Sequence, residues 1–203
     1  MAAKFDDQHM YTYIKGFANG AHMSDTIRAL AFARDAHKNQ TRKSGEPYIT
    51  HPLTIACHAL ALGLHDDQII AACLLHDVVE DCGVRLDDLP VSQETRNIVD
   101  RLTHVKPTPL TTYYDRIGVD PKAAIVKLLD RCNNVSTMAG VFTPNKLLGY
   151  IQETKDFVLP LIRSTKDQWP EYSDVLFLMK YHIHGIIDSL EIAYDTLTCR
   201  DDK

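Results

Sequence analysis

Ile69-Ile70-Ala71-Ala72-Cys73-Leu74-Leu75-His76-Asp77-Val78-Val79-Glu80-Asp81 is the stretch that decides how this chain folds. An unbroken apolar run ends abruptly in four ionisable residues set two by two. Read as a helix, side chains three and four positions apart share a face. His76 then stands one turn from Glu80, and Asp77 lies near both Glu80 and Asp81. Burying such groups beside an apolar segment is costly unless they share a partner. A divalent cation that activates water is the natural one. The plainer alternative is a helix emerging into solvent with an acidic end, but acids at a helix C-terminus oppose the macrodipole.

Outward from this segment the pattern stays helical. The spacing predicts a helix over about Asp67 to Glu80, and another from about His51-Pro52 to Leu62, ended by Gly63. Before them, Ser24 can cap a helix carrying Ile27, Leu30, Ala31 and Phe32. Gln40 to Tyr48 holds Gly45 and Pro47 and reads as a loop. Ser92 caps a further helix through Ile98, Val99 and Leu102. Asp120-Pro121 and Thr143-Pro144 each set a capping side chain before a proline at the first helical position. They open helices bearing Ile125 to Leu129 and Leu147 to Leu161. Trp169-Pro170 marks a turn, and Ser173 opens a last helix reaching about Thr198. Lys106 to Gly118, with Pro107 and Pro109, reads as a long loop or a loop with a short helix, and as a surface connection. No strand pattern, internal repeat or low-complexity tract competes, so the fold class is all-α.

At 203 residues, one domain over 1–203 is expected, with its core at about 24–165 and the C-terminal helix at about 173–198. Hydrophobic content of 45% and charged content of 24% are those of a globular protein. A formal net charge of −5 argues against stable nucleic-acid binding, which needs an excess of cations. The first twenty residues include Lys4, Asp6, Asp7 and Lys15 and do not form a secretory signal, and no apolar stretch would span a membrane. Cys57, Cys73, Cys82, Cys132 and Cys199 are odd in number and form no C-x-x-C pair. Neither a disulfide framework nor a thiolate metal site is indicated, and a cytoplasmic location is expected.

Three further pieces extend the opening segment into a candidate site. His51 begins its helix straight after the polar loop, Asp130 is a carboxylate on another apolar helix, and Arg42-Lys43 heads the Gly/Pro loop. Two imidazoles and two carboxylates suit manganese, iron, zinc or similar ions and leave positions for water and substrate. Spacing alone leaves open whether positions 51, 76–77 and 130 meet.

The block Ala33 to Pro52, with Arg42-Lys43-Ser44-Gly45-Glu46-Pro47-Tyr48-Ile49-Thr50-His51-Pro52 at its heart, resembles the opening of the hydrolase domain of the RelA/SpoT alarmone enzymes. His76-Asp77-Val78-Val79-Glu80-Asp81 matches that family's central motif. Lys127 to Arg131 with Asn134 and Thr137 resembles its third, and Glu153-Thr154 to Pro160-Leu161 the helix that follows. The resemblance covers about residues 25–165 and implies an HD-domain helical bundle of about eight or more helices. It implies that His51, His76, Asp77 and Asp130 hold one Mn²⁺, other divalent transition metals being alternatives. Glu80 and Asp81 would be the catalytic acids that position and deprotonate the attacking water. Arg42, Lys43, Ser44, Asn134 and Thr137 would line the nucleotide pocket. The implied reaction is hydrolysis of the 3′-diphosphate of ppGpp, or a related alarmone, to a nucleoside 5′-diphosphate or triphosphate and pyrophosphate. The family's long members continue into a synthetase domain; this chain resembles a small, hydrolase-only type. Adenosine alarmones, pyrophosphorylated tRNA ends and a nucleotidase-like activity are the alternatives. The expected partners are a small nucleotide and either a second copy or a cognate synthetase toxin. Cys82 where threonine is usual, Asn133 where histidine often stands, and Val84 to Thr112 depart from the pattern without touching an implied ligand.

The remaining candidates read as structural. His37 lies one turn from Ala33 on an amphipathic helix. His182 and His184, two apart, point in different directions. His58, His65 and His104 lack acids nearby in sequence. Arg131 reads as a salt-bridge partner, and Lys146 and Tyr150 as core or surface residues.

Overall fold

The computed structural model of the chain describes residues 6–201, with side chains as far as 196; Lys4 and the side chains of Thr198 and Cys199 lie outside the described residues. The described residues are all-α, in the order α1 (Asp7–Gly20), α2 (Ser24–Ala36), α3 (Thr50–Ala61), α4 (Asp67–Leu75), α5 (Val78–Asp81), α6 (Gln93–Leu102), α7 (Leu110–Gly118), α8 (Pro121–Thr137), α9 (Pro144–Glu153), α10 (Leu159–Gln168) and α11 (Ser173–Asp201). The only pairing of extended backbone among them is an isolated bridge between Thr41 and Pro47. No helix among the described residues is long and apolar enough to cross a membrane. The chain divides into two compact units, one running through Asp130 and one from Arg131 onward.

In the first unit α4 is the central element, packed on α2, α3 and α6. Ile69 to Leu75 are all no more than 1% exposed, so the helix is apolar on every face because every face is covered. Its buried isoleucines and leucines each contribute roughly 1.5–3 kcal/mol by leaving water. Asp66 caps α4 by accepting from the Gln68 and Ile69 amides at 2.9 and 3.0 Å.

Several elements differ from the sequence reading. The helix expected over Asp67–Glu80 is two: α4 stops at Leu75, His76 and Asp77 form a turn, and α5 restarts at Val78. Ser24 does not cap α2; the Asp67 carboxylate does, taking the Asp25 and Thr26 amides at 3.0 and 2.7 Å. Asp25, 4% exposed, in turn accepts from the Ser92 amide, the Ser92 and Thr95 hydroxyls and Arg28, which pins α2 to the start of α6. Ser92 and Asp120 cap as expected, whereas Thr143 makes no side-chain cap. Lys106 to Gly118 is a turn leading into α7, the second of the two expected forms, but it is not a surface connection: Tyr113, Tyr114 and Ile117 are buried. The helix α1 carries few buried residues and was not anticipated from the pattern.

The second unit is built on its own contacts. Arg131, 1% exposed, donates to the Thr154 hydroxyl at 3.1 Å, pairs with Glu153, and lies over the Tyr150 ring at 3.8 Å, as a salt-bridge role requires. Between α9 and α10 the backbone widens into a π turn, Thr154–Val158. On α11, Leu176, Met179, Ile183 and Ile187 are fully buried at helical spacing, and His182 meets the Ser136 hydroxyl at 2.8 Å.

Candidate metal centre

Four side chains converge in the first unit. Asp130 Oδ1 lies 3.2 Å from His51 Nε2 and 3.7 Å from His76 Nε2. Asp77 Oδ2 lies 3.5 Å from His51 Nε2 and 3.1 Å from His76 Nε2. One donor atom from each of His51, His76 and Asp77 falls within 4.8 Å of the others. Ligands held about 2.1 Å from one ion stand roughly 3–3.5 Å apart, so the spacing fits a single transition-metal cation. Local geometry explains the convergence. His51 sits on the first turn of α3, and Asp130 is carried by α8 behind the buried Leu128 and Leu129. His76 and Asp77 themselves sit at the junction of α4 and α5, where Asp77 departs from ideal helical angles with φ −100 and ψ −9.

The imidazoles are aimed. His76 Nδ1 meets the Cys73 carbonyl at 2.9 Å, which leaves Nε2 for the centre. That Nε2 is buried and faces the Asp77 and Asp130 carboxylates without a well-aligned hydrogen bond to either, as a nitrogen open to a ligand would. Burial opposes charge on both histidines. The Asp77 and Asp130 carboxylates outweigh it, pushing His76 up to about 10 and raising His51 as well. Burial also disfavours ionised carboxylates here, yet His76 and His51 hold Asp77 well below the usual range. Lys127, then His51 and His76, do the same for Asp130. The cluster thus keeps its two carboxylates ionised with protons that a divalent cation would displace.

Around it stand residues that sequence reasoning had not singled out. Lys127 Nζ lies 3.2 Å from Asp130 Oδ2. Tyr48 donates toward Asp77 Oδ2 at 2.6 Å and Asp81 Oδ2 at 3.0 Å. A signal existed for Lys127 alone, three residues before Asp130 on the same helix; Tyr48 reaches partners 29 and 33 positions away. Gln40 Nε2 donates to the Asp81 carbonyl at 2.9 Å, tying down the start of the 40–48 loop. His37, 1% exposed, bonds Gln40 Oε1 through Nδ1 at 2.7 Å and stacks on Tyr48, a structural histidine as read from sequence.

Of the two expected acids, Asp81 is exposed and joined to the cluster through Tyr48, while Glu80 is exposed and accepts from the His104 amide at 3.1 Å. Arg42, Lys43 and Ser44 lie on the loop leading to His51. Its tip is closed by the Arg42 amide on the Glu46 carbonyl, 2.8 Å, and the Gly45 amide on the Arg42 carbonyl, 2.9 Å. Gly45 takes φ +90 there, a conformation costly for other residues. Asn134 and Thr137 belong to the second unit, half-exposed on the last turns of α8, with the Thr137 hydroxyl bonded to the Asn133 carbonyl at 3.0 Å.

Known proteins are similar to this chain over the same region. The family description "HD domain" matches residues 29–107. A probable guanosine-3′,5′-bis(diphosphate) 3′-pyrophosphohydrolase of Synechocystis is 35% identical over 147 residues, 66% of this chain and 19% of its own length. The corresponding enzyme of Aquifex aeolicus is 34% identical over 150 residues, 69% of this chain and 21% of its own. The bifunctional (p)ppGpp synthase/hydrolase SpoT of Escherichia coli is 33% identical over 147 residues, 66% and 21%. The chain therefore spans about a fifth of the length of these relatives. A solved structure, described as a metazoan orthologue of SpoT that hydrolyses ppGpp, superposes with a TM-score of 0.65 at 18% identity, covering 82% of this chain and 95% of that one. With two histidines and two aspartates meeting at the break between α4 and α5, the chain carries an HD domain and is a homologue of the SpoT-type proteins across the region they share.

Proposed function

We propose that this chain is a metal-dependent phosphohydrolase that removes the 3′-diphosphate of ppGpp or a closely related alarmone, with one Mn²⁺ at His51, His76, Asp77 and Asp130. The observation that carries the reading is the convergence of two imidazoles and two ionised carboxylates beside two exposed acids. The names of the homologous proteins support the substrate class. We read the whole of 1–203 as one HD-type hydrolase domain acting in the cytoplasm; among the described residues four cysteines form no disulfide, which fits a reducing compartment.

Bound in this cluster, a divalent cation supplies Lewis acidity, easing deprotonation of a water and offsetting phosphate charge. The chain's own residues do the rest. Asp81 and Glu80 stand at the solvent edge as proton acceptors and water-orienting groups. Arg42 and Lys43 present a pair of cations to a substrate bearing several phosphates, and Ser44 adds a hydroxyl. Attack of water on the 3′-linked phosphorus breaks its bond to the ribose 3′ oxygen; the proton given up by the water restores the 3′ hydroxyl, so the products are pyrophosphate and the nucleoside 5′-diphosphate.

Chromatography of products from ppGpp, pppGpp, adenosine alarmones and pyrophosphorylated tRNA, with and without Mn²⁺, tests the reading. Mn²⁺-dependent pyrophosphate release from a guanosine alarmone is the expected result. No release from any of these substrates in saturating Mn²⁺ would falsify it.

A further inference from the structure

Tyr48 has a single hydroxyl proton and two carboxylates within reach, Asp77 Oδ2 at 2.6 Å and Asp81 Oδ2 at 3.0 Å. An ionised carboxylate only accepts, so the one O–H can serve one of these oxygens at a time. A phenol is neutral at ordinary pH, so this hydroxyl is a donor.

The ring itself is clamped. It stacks on His37 with centroids 4.7 Å apart and meets the His51 ring edge-on at 5.8 Å. Its amide donates to the Gln40 carbonyl at 2.9 Å, and Gln40 is fastened to the Asp81 carbonyl. What remains free is rotation of the O–H between its two acceptors. Asp77 Oδ2 is also the oxygen that faces His76 Nε2 at 3.1 Å and His51 Nε2 at 3.5 Å. It is therefore the atom a cation in the cluster would engage, and an oxygen so engaged is a poorer acceptor.

We propose that Tyr48 is a positioning residue that couples cation occupancy to Asp81: its hydroxyl serves Asp77 when the cluster holds no cation and turns to Asp81 when a cation is bound. This rests on the hydrolase reading only for what Asp81 then does. Asp81 receives a fixed donor on one oxygen, which orients the other toward water at the moment the site is loaded. Asp77 is released from a hydrogen bond that competes with ligation.

The test uses the full chain and its Tyr48→Phe and Asp81→Asn variants. Mn²⁺ alone, without nucleotide, is titrated calorimetrically and by ultraviolet difference absorbance of tyrosine. The wild type should give a tyrosine difference signal on Mn²⁺ addition that Tyr48→Phe lacks, while Mn²⁺ affinity in that variant stays equal or rises. In turnover, Tyr48→Phe should lower kcat about 10–100-fold with KM nearly unchanged. Adding Tyr48→Phe to Asp81→Asn should cost little more, because the tyrosine acts through that carboxylate. A Mn²⁺ affinity reduced tenfold with kcat intact at saturation overturns the proposal and makes Tyr48 a plain support for Asp77. Additive losses overturn it as well. Should Tyr48→Phe not fold, a tyrosine signal identical in wild type and Asp81→Asn overturns it, and an altered one upholds it. If no alarmone is hydrolysed, the nucleotide-free titrations still decide the hydroxyl's behaviour, so the two readings fail separately.

Discussion

Lys127 Nζ stands 3.2 Å from Asp130 Oδ2, one helical turn away, while the other oxygen of the same carboxylate faces His51 and His76. The lysine is 17% exposed and the aspartate 7%, so the pair is largely removed from water. Losing one partner of such a pair leaves a buried charge short of compensation. Lys127→Met should destabilise the metal-free protein by about 1–3 kcal/mol. A cation in the cluster takes over part of the lysine's role, so the gap in Tm between variant and wild type should narrow when Mn²⁺ is added. Melting curves with Mn²⁺ and with a chelator check this; a gap of equal size in both would contradict it.

Removing a central donor should act on binding before chemistry. Asp77→Ala is expected to lose stoichiometric Mn²⁺ binding and to release no measurable pyrophosphate, since Asp77 faces both imidazoles. Glu80→Ala should keep its metal and lose turnover by about 10²–10⁴-fold, the range of general acid–base catalysis. Metal analysis of the purified variants beside initial rates separates the two effects.

The Asp25 carboxylate gives the fold an acid-sensitive point away from the metal centre. Burial raises its pKa, but the hydroxyls of Ser92 and Thr95, the Ser92 amide and Arg28 together lower it. A depressed folded-state pKa means stability that is fully present above about pH 4, the unfolded value, and lost as pH falls through the folded one. Asp25→Ala should cost about 2–4 kcal/mol at neutral pH and flatten the acid limb of the stability curve. Denaturant melts from pH 2 to 7 would show it.

Cations on the 40–48 loop should matter for substrate capture. Arg42→Ala is expected to raise KM for ppGpp about tenfold or more and to change kcat less, with the loss shrinking at high ionic strength. Steady-state kinetics at two salt concentrations would reveal a different outcome, such as a pure kcat effect.

Much of this was legible in the chain. Ile69 to Leu75 had to be a buried helix because no exposed face could be assigned to it, and the polar cluster following it had to be compensated. His51 and Asp130 came into view through their settings: one after a Gly/Pro loop, the other on an apolar helix. What escaped reading depends on partners far along the sequence. Tyr48 meets Asp77 across 29 positions and Asp67 caps α2 across more than 40, and no local periodicity records either. The capping role given to Ser24 failed for that reason: Asp67 already satisfies those amides. The helix α1 buries only Ile14 and Ala18 fully, too few for a visible stripe.

The interruption at positions 76 and 77 bears on how such sites arise and can be built. Consecutive residues on an unbroken helix diverge by about 100°, so a histidine–aspartate dipeptide grafted onto a straight helical scaffold would aim its donors apart. Transplanting the chemistry means transplanting the junction between α4 and α5 as well. The two letters alone are a poor guide, in design or in searching genomes, unless the chain around them can stop one helix and start the next within a pair of residues.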